Sequence, residues 1–148
     1  MMTPKWIRFR KSKKAEEGQA MVELALVLPI LLLILLGIIE FGHIFYSYLI
    51  IQNASRDGAR YGVVWDSGNN HYVTNPEVVT LVKSKTTVLQ KPDTNVAINI
   101  TPTTESTKAS GGNFEVKVIY NVPLFTPFWE KILPNPFPIT AKTVMRIE

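Results

Sequence analysis

The chain has 148 residues and a formal net charge of +4, a length that allows no more than one domain of ordinary size. It contains no cysteine, which excludes disulfides, thiol nucleophiles and thiolate metal sites. Six basic and two acidic residues precede Gln19, so this short tract carries the whole net charge. A nucleic-acid-binding protein would spread its basic residues over a folded face, and we therefore expect no nucleic-acid partner.

The first predicted element is a membrane-spanning helix. The uncharged run Leu24–Ile39 reads LALVLPILLLILLGII, and with Ala20–Glu23 it has the roughly 20 residues that cross about 30 Å of hydrocarbon. A basic tract at one end only is the arrangement that sets a cytoplasmic N-terminus. We therefore predict a basic cytoplasmic leader over residues 1–18 and a single transmembrane helix over residues 19–41. The alternatives are a buried helix of a soluble protein and a cleaved secretory signal, although no small-x-small cleavage site follows the run.

The helix is predicted to continue outside the membrane. The stretch Phe41–Val64 contains no proline and keeps apolar or aromatic residues at helical spacing. Polar turn-forming residues at 66–70 then give a stop signal. We therefore assign residues 42–66 to a helical extension, in which Phe45, Tyr46 and Tyr48 are candidates for an interfacial aromatic belt.

Residues 67–148 are predicted to form a small extracytoplasmic α+β domain. A helix over Asn75–Gln90 begins with Asn75 as the N-cap and a proline at the first helical position. Three later segments alternate between apolar and polar residues, which is typical of antiparallel strands with one buried face. They cover residues 96–101, 114–122 and 139–148. This three-stranded antiparallel sheet needs a cover, and the available cover is the predicted helix together with the membrane-distal part of the long helix.

Glu23 is the residue that points most directly to a function. A carboxylate in a membrane helix costs on the order of 2.5–3.5 kcal/mol at the centre and less near the edge. Glu23 therefore either reaches headgroup water or meets a positive charge. Cleavage of the Gly18–Gln19 bond would create a new N-terminal amine, with Glu23 at the fifth position after the cut. In an assembly, Glu23 would neutralise that amine on a neighbouring chain.

These features resemble the TadE-like family, whose members are pseudopilin-like components of the tight-adherence (Flp-type) pilus machinery. The likeness depends on three segments taken together, Gly18–Pro29, Gly37–Gly42 and Gln52–Tyr61. A basic leader that ends in glycine, with a glutamate five residues later, is also the arrangement of type IV prepilins. Processed prepilins usually have an aromatic residue after the glutamate, whereas Leu24 follows it here.

The resemblance implies a minor pseudopilin-like structural component of a pilus assembly and secretion apparatus that serves adhesion. The implied partners are pilin and pseudopilin subunits, an inner-membrane platform, a cytoplasmic ATPase and a prepilin peptidase that cuts between Gly18 and Gln19. The implied location is the cell membrane, with a single pass and a cytoplasmic N-terminus. Incorporation into an extracellular fibre is a further expectation.

Two further surfaces are candidates for contacts. Ala54, Gly58 and Gly62 recur four residues apart on one helix face, where small residues let another backbone approach closely. Either a partner helix or the sheet of the same chain packs there. The segment 125–138 is rich in aromatic residues and proline, and it either folds over its own core or docks on a partner or on the bilayer. Its candidate contact residues are Phe125, Phe128, Trp129 and Phe137.

No catalytic, cofactor or metal site is expected. His43 and His71 have no partners at the spacing that a metal site or a nucleophile relay requires, and there is no phosphate-binding glycine loop. We therefore expect a protein that is not an enzyme and that uses no cofactor or small-molecule substrate. The alternative to a pilus component is a signal-anchored binding module that captures an extracellular ligand through residues 125–138 and never enters a fibre.

Overall fold

A computed structural model describes residues 13–67, 71–104 and 108–147 of the chain. Predictions that concern residues 1–12 of the leader, residues 68–70 of the stop signal and Glu148 of the last strand lie outside these ranges. The chain divides into two compact units, Met1–Ile38 and Ile39–Glu148, and each is described by itself below.

The predicted fold class, α+β with a long N-terminal helix and a small domain that contains a three-stranded antiparallel sheet, is confirmed. Among the described residues the strands form a two-stranded ladder and a three-stranded sheet of order β3-β4-β5. In chain order the elements are α1 (Lys13–Gly62), β1 (Trp65–Asp66), β2 (His71–Tyr72), α2 (Asn75–Thr86), α3 (Pro92–Asn95), β3 (Val96–Thr101), β4 (Asn113–Val122), the 3-10 turn η1 (Trp129–Lys131) and β5 (Phe137–Arg146).

The first unit contains the N-terminal part of α1. All side chains from Ala20 to Leu36 are exposed, and the helix passes through Pro29 without interruption. A helix bonds its own backbone groups internally, which is what a hydrocarbon environment requires. The helix is long and apolar enough to cross a membrane, and none of its apolar window is buried by the chain.

The second unit begins with the remainder of α1, and here one helix face is buried. Buried residues recur every three or four positions, which is the periodicity of a helix packed on a core. They are Glu40, Ser47, Ile51, Ala54, Ser55, Gly58, Ala59 and Gly62. The helix ends at Gly62, four residues before the predicted bound, because the chain enters the β1–β2 hairpin. There the Trp65 ring packs edge-on against Tyr72, with ring centroids 4.9 Å apart.

The central strand β4 provides most of the core. Its alternate residues from Phe114 to Val122 are fully buried, and Val118 pairs with Ile98 of β3 and with Ala141 of β5. The three strand predictions agree with the observed strands to within two residues at every bound. As predicted, the buried sheet face is covered by α1 and α2. Gly58 of α1 lies against both Val82 of α2 and Val116 of β4.

The second helix begins with a different cap from the predicted one. Thr74, not Asn75, is the N-cap, and it forms a capping box with Glu77: the Thr74 N–H donates to the Glu77 carboxylate at 2.8 Å. The Asn75 side chain instead donates to the backbone carbonyls of Pro102 and Thr103, each at 3.0 Å. This residue therefore ties the start of α2 to the segment after β3.

The second helix also ends earlier than predicted, at Thr86 instead of Gln90. The Leu89 N–H donates to the Thr86 carbonyl at 3.0 Å, and the resulting turn buries Leu89. Leu89, which lies within the predicted helix, therefore reaches the core from a turn.

Candidate functional site

The predicted processing and assembly residues lie on the exposed first part of α1. Gly18, Gln19 and Glu23 are all exposed, and a Cβ added at Gly18 would meet nothing within 4 Å. Within the described ranges, no hydrogen bond or ion pair engages Glu23. The described residues therefore leave open the same two alternatives as the sequence, water at the headgroups or a positive group on another molecule.

A second carboxylate lies at the other end of the apolar run, and sequence reasoning gave it no role. Glu40 is the first residue after Leu24–Ile39, yet its residue surface is only 3% exposed. Its Oε1 accepts a hydrogen bond from the Phe125 N–H at 3.0 Å, and its Oε2 accepts one from the Thr126 hydroxyl at 3.2 Å. Burial of a carboxylate is costly unless it is hydrogen-bonded, so Glu40 and the start of the 125–138 segment depend on each other.

The segment between β4 and β5, residues 123–136, is closed by its own contacts, and we call it the aromatic loop. The Leu124 N–H donates to Asn135 Oδ1 at 3.2 Å, and Asn135 Nδ2 donates to Glu130 Oε1 at 2.7 Å. The rings of Phe128 and Trp129 meet edge to face, with centroids 5.3 Å apart. These bonds hold the two ends of the loop together above the last residues of β4.

The candidate contact residues of the segment have different environments. Phe125 is 55% exposed and Phe128 is 49% exposed, although the Phe125 ring also lies 4.3 Å from the His43 ring. Trp129 is half-buried. Phe137 is the first residue of β5 and packs against the core. The segment therefore folds against its own chain and still presents apolar side chains to the surroundings.

The small residues of α1 face the domain of the same chain. A Cβ added at Gly58 would lie 2.5 Å from Val82 Cγ2 of α2, and one added at Gly62 would run into the Phe114 ring of β4. Ala54 is buried on the same face. Of the two alternatives for Ala54, Gly58 and Gly62, the described residues therefore show packing within the chain.

A serine on the same face links α1 to the sheet by a hydrogen bond. Ser55 is fully buried, and its hydroxyl donates to the Val116 carbonyl at 2.8 Å and lies 3.0 Å from Thr143 Oγ1. Helix and sheet thus meet through small side chains and the two polar contacts of Ser55, which brings the helix backbone close to the central strand.

The titratable groups that the structure describes in the domain have separate environments. No group of three His, Asp or Glu side chains that would hold a metal ion occurs in the described parts of the chain. His71 lies on β2 with Nδ1 2.7 Å from the Tyr72 carbonyl oxygen, and His43 lies on α1 with its Nε2 buried and without a hydrogen-bond partner. Burial raises the pKa of the Tyr120 hydroxyl above its usual value of 10.0.

A comparison with protein families confirms the resemblance found in the sequence. The family model of TadE-like proteins matches residues 18–60. The match includes Gly18, Glu23 and Glu40, and it ends before the sheet and the aromatic loop. Neither a curated protein nor a solved structure matches the chain. The exposed apolar helix and the family together indicate an association with the membrane.

Proposed function

We propose that this chain, whose residues 18–60 match TadE-like proteins, is a membrane-anchored, minor pseudopilin-like component of a Tad (Flp-type) pilus assembly apparatus. One observation carries the proposal: the family match falls on a helix whose apolar residues are exposed and which also carries the exposed carboxylate of Glu23. Such a helix needs surroundings that accept both apolar side chains and a charge. Lipid together with neighbouring pilin-like helices supplies both.

In this proposal the chain crosses the membrane once, with its basic leader in the cytoplasm. The leader contributes the positive charge that retains the N-terminus on the cytoplasmic side. The domain formed by α2 and the sheet is then extracytoplasmic. Its small size makes the packing against α1 important, because domains of this length bury little surface on their own.

Glu23 has the assembly role in this proposal. After cleavage between Gly18 and Gln19, the new amine of a neighbouring subunit pairs with the Glu23 carboxylate. Attraction between opposite charges is many times stronger at the low dielectric of a helix bundle in lipid than in water. The pair therefore sets the axial position of one helix against the next, and the protein acts as a structural subunit without an enzymatic step.

A signal-anchored binding module remains the second candidate, and the exposure of Phe125 and Phe128 favours it. In that case the aromatic loop captures an extracellular ligand and the helix only tethers the domain. Helix-to-helix crosslinks distinguish the two candidates, because a pilus component gives crosslinks from the exposed part of α1 to pilin-like subunits, whereas a tethered module gives none.

The proposal is tested by isolating the full chain from native membranes that contain an active prepilin peptidase. We expect pilin-like subunits to co-purify and the mature N-terminus to be Gln19 in mass spectrometry. Since the chain has no cysteine, Ser67→Cys gives one labelling site in the domain, and the wild-type chain is the unlabelled control. Failure to recover any pilus subunit would refute the assembly role. Labelling at position 67 only from the cytoplasmic side would refute the orientation.

A further inference from the structure

The aromatic loop presents apolar side chains that its own chain does not cover. Ile132 is 65% exposed, Phe125 is 55% exposed and Phe128 is 49% exposed. The loop nevertheless has a defined structure, because Asn135 bonds both Leu124 and Glu130. Uncovered apolar residues on a loop with its own internal bonds are a candidate contact surface.

The position of the loop on the chain indicates what it contacts. Its anchor is the Glu40 carboxylate, which bonds Phe125 and Thr126. Glu40 is the first residue after the uncharged run Leu24–Ile39, so along the helix it lies one 1.5 Å step beyond that run. If the run crosses a bilayer, the backbone of the loop is held at the membrane boundary.

We propose that the aromatic loop docks on the interfacial layer of the bilayer that α1 crosses, on the side of the folded domain. The occupant of its exposed surface is therefore lipid, at the level where headgroups meet acyl chains. The inference uses the membrane anchoring proposed above, and it is independent of the assembly role.

The chemistry of the loop fits this layer. Aromatic side chains are enriched where apolar tails meet water, and the loop contributes Phe125, Phe128 and Trp129. Lys131 is exposed in η1 and can reach anionic headgroups. Phe41, one residue after Glu40 on α1, is also exposed and extends the apolar surface along the helix at the same level.

The test uses the full chain with one introduced cysteine, which the cysteine-free sequence permits. A nitroxide is attached at Ile132→Cys, and the matched control is Val144→Cys, an apolar residue that is 47% exposed. Val144 pairs with Glu115, seven register positions from the Val122–Phe137 pair beside the loop, or about 23 Å at 3.3 Å per residue. Both proteins are reconstituted in phosphatidylcholine–phosphatidylglycerol vesicles, and the collision rates of the nitroxide with oxygen and with a water-soluble nickel chelate are measured.

We expect the label at position 132 to collide several-fold less with the nickel chelate, and more with lipid-soluble oxygen, than the label at position 144. Equal access of the nickel chelate to both positions would overturn the proposal. Protection of position 132 only in native membranes, and not in pure lipid vesicles, would also overturn it and would assign the surface to a protein partner. Because the vesicles contain no other protein, this result is separate from the co-purification test of the proposed function.

A second variant tests whether Glu40 sets the depth of the loop. With the label at position 132, Glu40→Ala removes the acceptor for Phe125 and Thr126, and nickel access should rise toward that of position 144. Glu40→Gln retains an oxygen acceptor for the Phe125 N–H and should stay close to the unmodified Glu40. An unchanged depth in Glu40→Ala would contradict the argument that the helix holds the loop at the boundary.

Discussion

Two carboxylates on the same helix flank the same apolar run, and they are satisfied in different ways. Glu40 is buried and accepts hydrogen bonds from Phe125 and Thr126 of its own chain. Glu23 is exposed and has no hydrogen bond or ion pair within the described ranges. A charge beside an apolar surface is costly unless it is paired. Within the part of the chain that the structure describes, the fold meets that need at Glu40 and not at Glu23.

The apolar residues of the helix show the same contrast. From residue 39 onward, buried positions follow the helical period because α2 and β4 pack against that face. From Ala20 to Leu36 no position is buried, so packing within the chain accounts for none of them. The helix from residue 39 onward therefore packs on the domain, whereas residues 20–36 present their side chains to the surroundings.

The largest effect on the domain is expected from Gly62→Ala. The added Cβ would run into the fully buried Phe114 ring, so that this ring or the helix must shift. Overpacking of this kind costs about 1–3 kcal/mol of the free energy of unfolding. Amide hydrogen exchange of β4 in the full chain, held in lipid nanodiscs, should therefore become roughly 5- to 150-fold faster.

The control for that variant is Gly42→Ala, in the same helix. A Cβ at Gly42 would meet nothing within 4 Å, and alanine is the better helix former by about 1 kcal/mol. We expect β4 exchange to be unchanged or slightly slower. Faster β4 exchange in Gly42→Ala would contradict the distinction between the packed and the open face of α1. Unchanged β4 exchange in Gly62→Ala would contradict it as well.

A more local effect, confined to one segment, is expected from Glu40→Ala. Loss of the carboxylate leaves the Phe125 N–H and the Thr126 hydroxyl without their acceptor, and hydrogen bonds to charged groups contribute about 1.5–3 kcal/mol. Exchange should accelerate about tenfold or more in peptides that cover the aromatic loop, with little change in β4. Glu40→Gln, which keeps an acceptor, should show a weaker effect. Uniform acceleration across the whole domain would indicate that Glu40 supports the global fold instead.

The smallest effect is a pH dependence at Tyr120. Burial raises the pKa of its hydroxyl above 10.0 in the folded state, so the folded chain retains a proton that the unfolded chain loses. The associated stability is fully present below about pH 10 and is lost as the pH rises through the folded pKa. Thermal melts of the full chain in detergent should therefore show a steeper decline above pH 10 for the wild type than for Tyr120→Phe. Parallel declines would show that the burial of this hydroxyl has no such effect.

The strands and the helical anchor were predictable from sequence because each has an uninterrupted periodic signal. β4 alternates from Phe114 to Val122, and the apolar run Leu24–Ile39 carries no charge. The capping box was also readable, since Thr74 and Glu77 have the required spacing of three, but Asn75 beside them is an equally good N-cap residue by composition. Only the observed contact of Asn75 with Pro102 and Thr103 separates the two.

The contact between Glu40 and the aromatic loop was not predictable. It joins residues that are 85 positions apart, and no local pattern connects them. A signal did exist: Glu40 interrupts the apolar stretch just as Glu23 does, and the argument that a carboxylate there needs a partner applies equally to both. The packing partner of Gly58 and Gly62 was not predictable either, because the residues of α2 and β4 that contact them are distant in sequence. Sequence reasoning left only two alternatives, a partner helix or the sheet of the same chain.

The most direct test of the central claim, that Glu23 serves partner molecules and not its own fold, compares Glu23→Ala and Glu23→Gln with the wild type. Membrane fractionation, hydrogen exchange of the domain and co-purification of pilus subunits are measured on the same full-length chains. We predict unchanged insertion, since removing a charge favours it, unchanged exchange in β4, and loss of co-purification in both variants, because glutamine keeps the shape but not the charge. Wild-type co-purification of both variants would contradict the account and would leave Glu23 as a side chain that only reaches water at the headgroups.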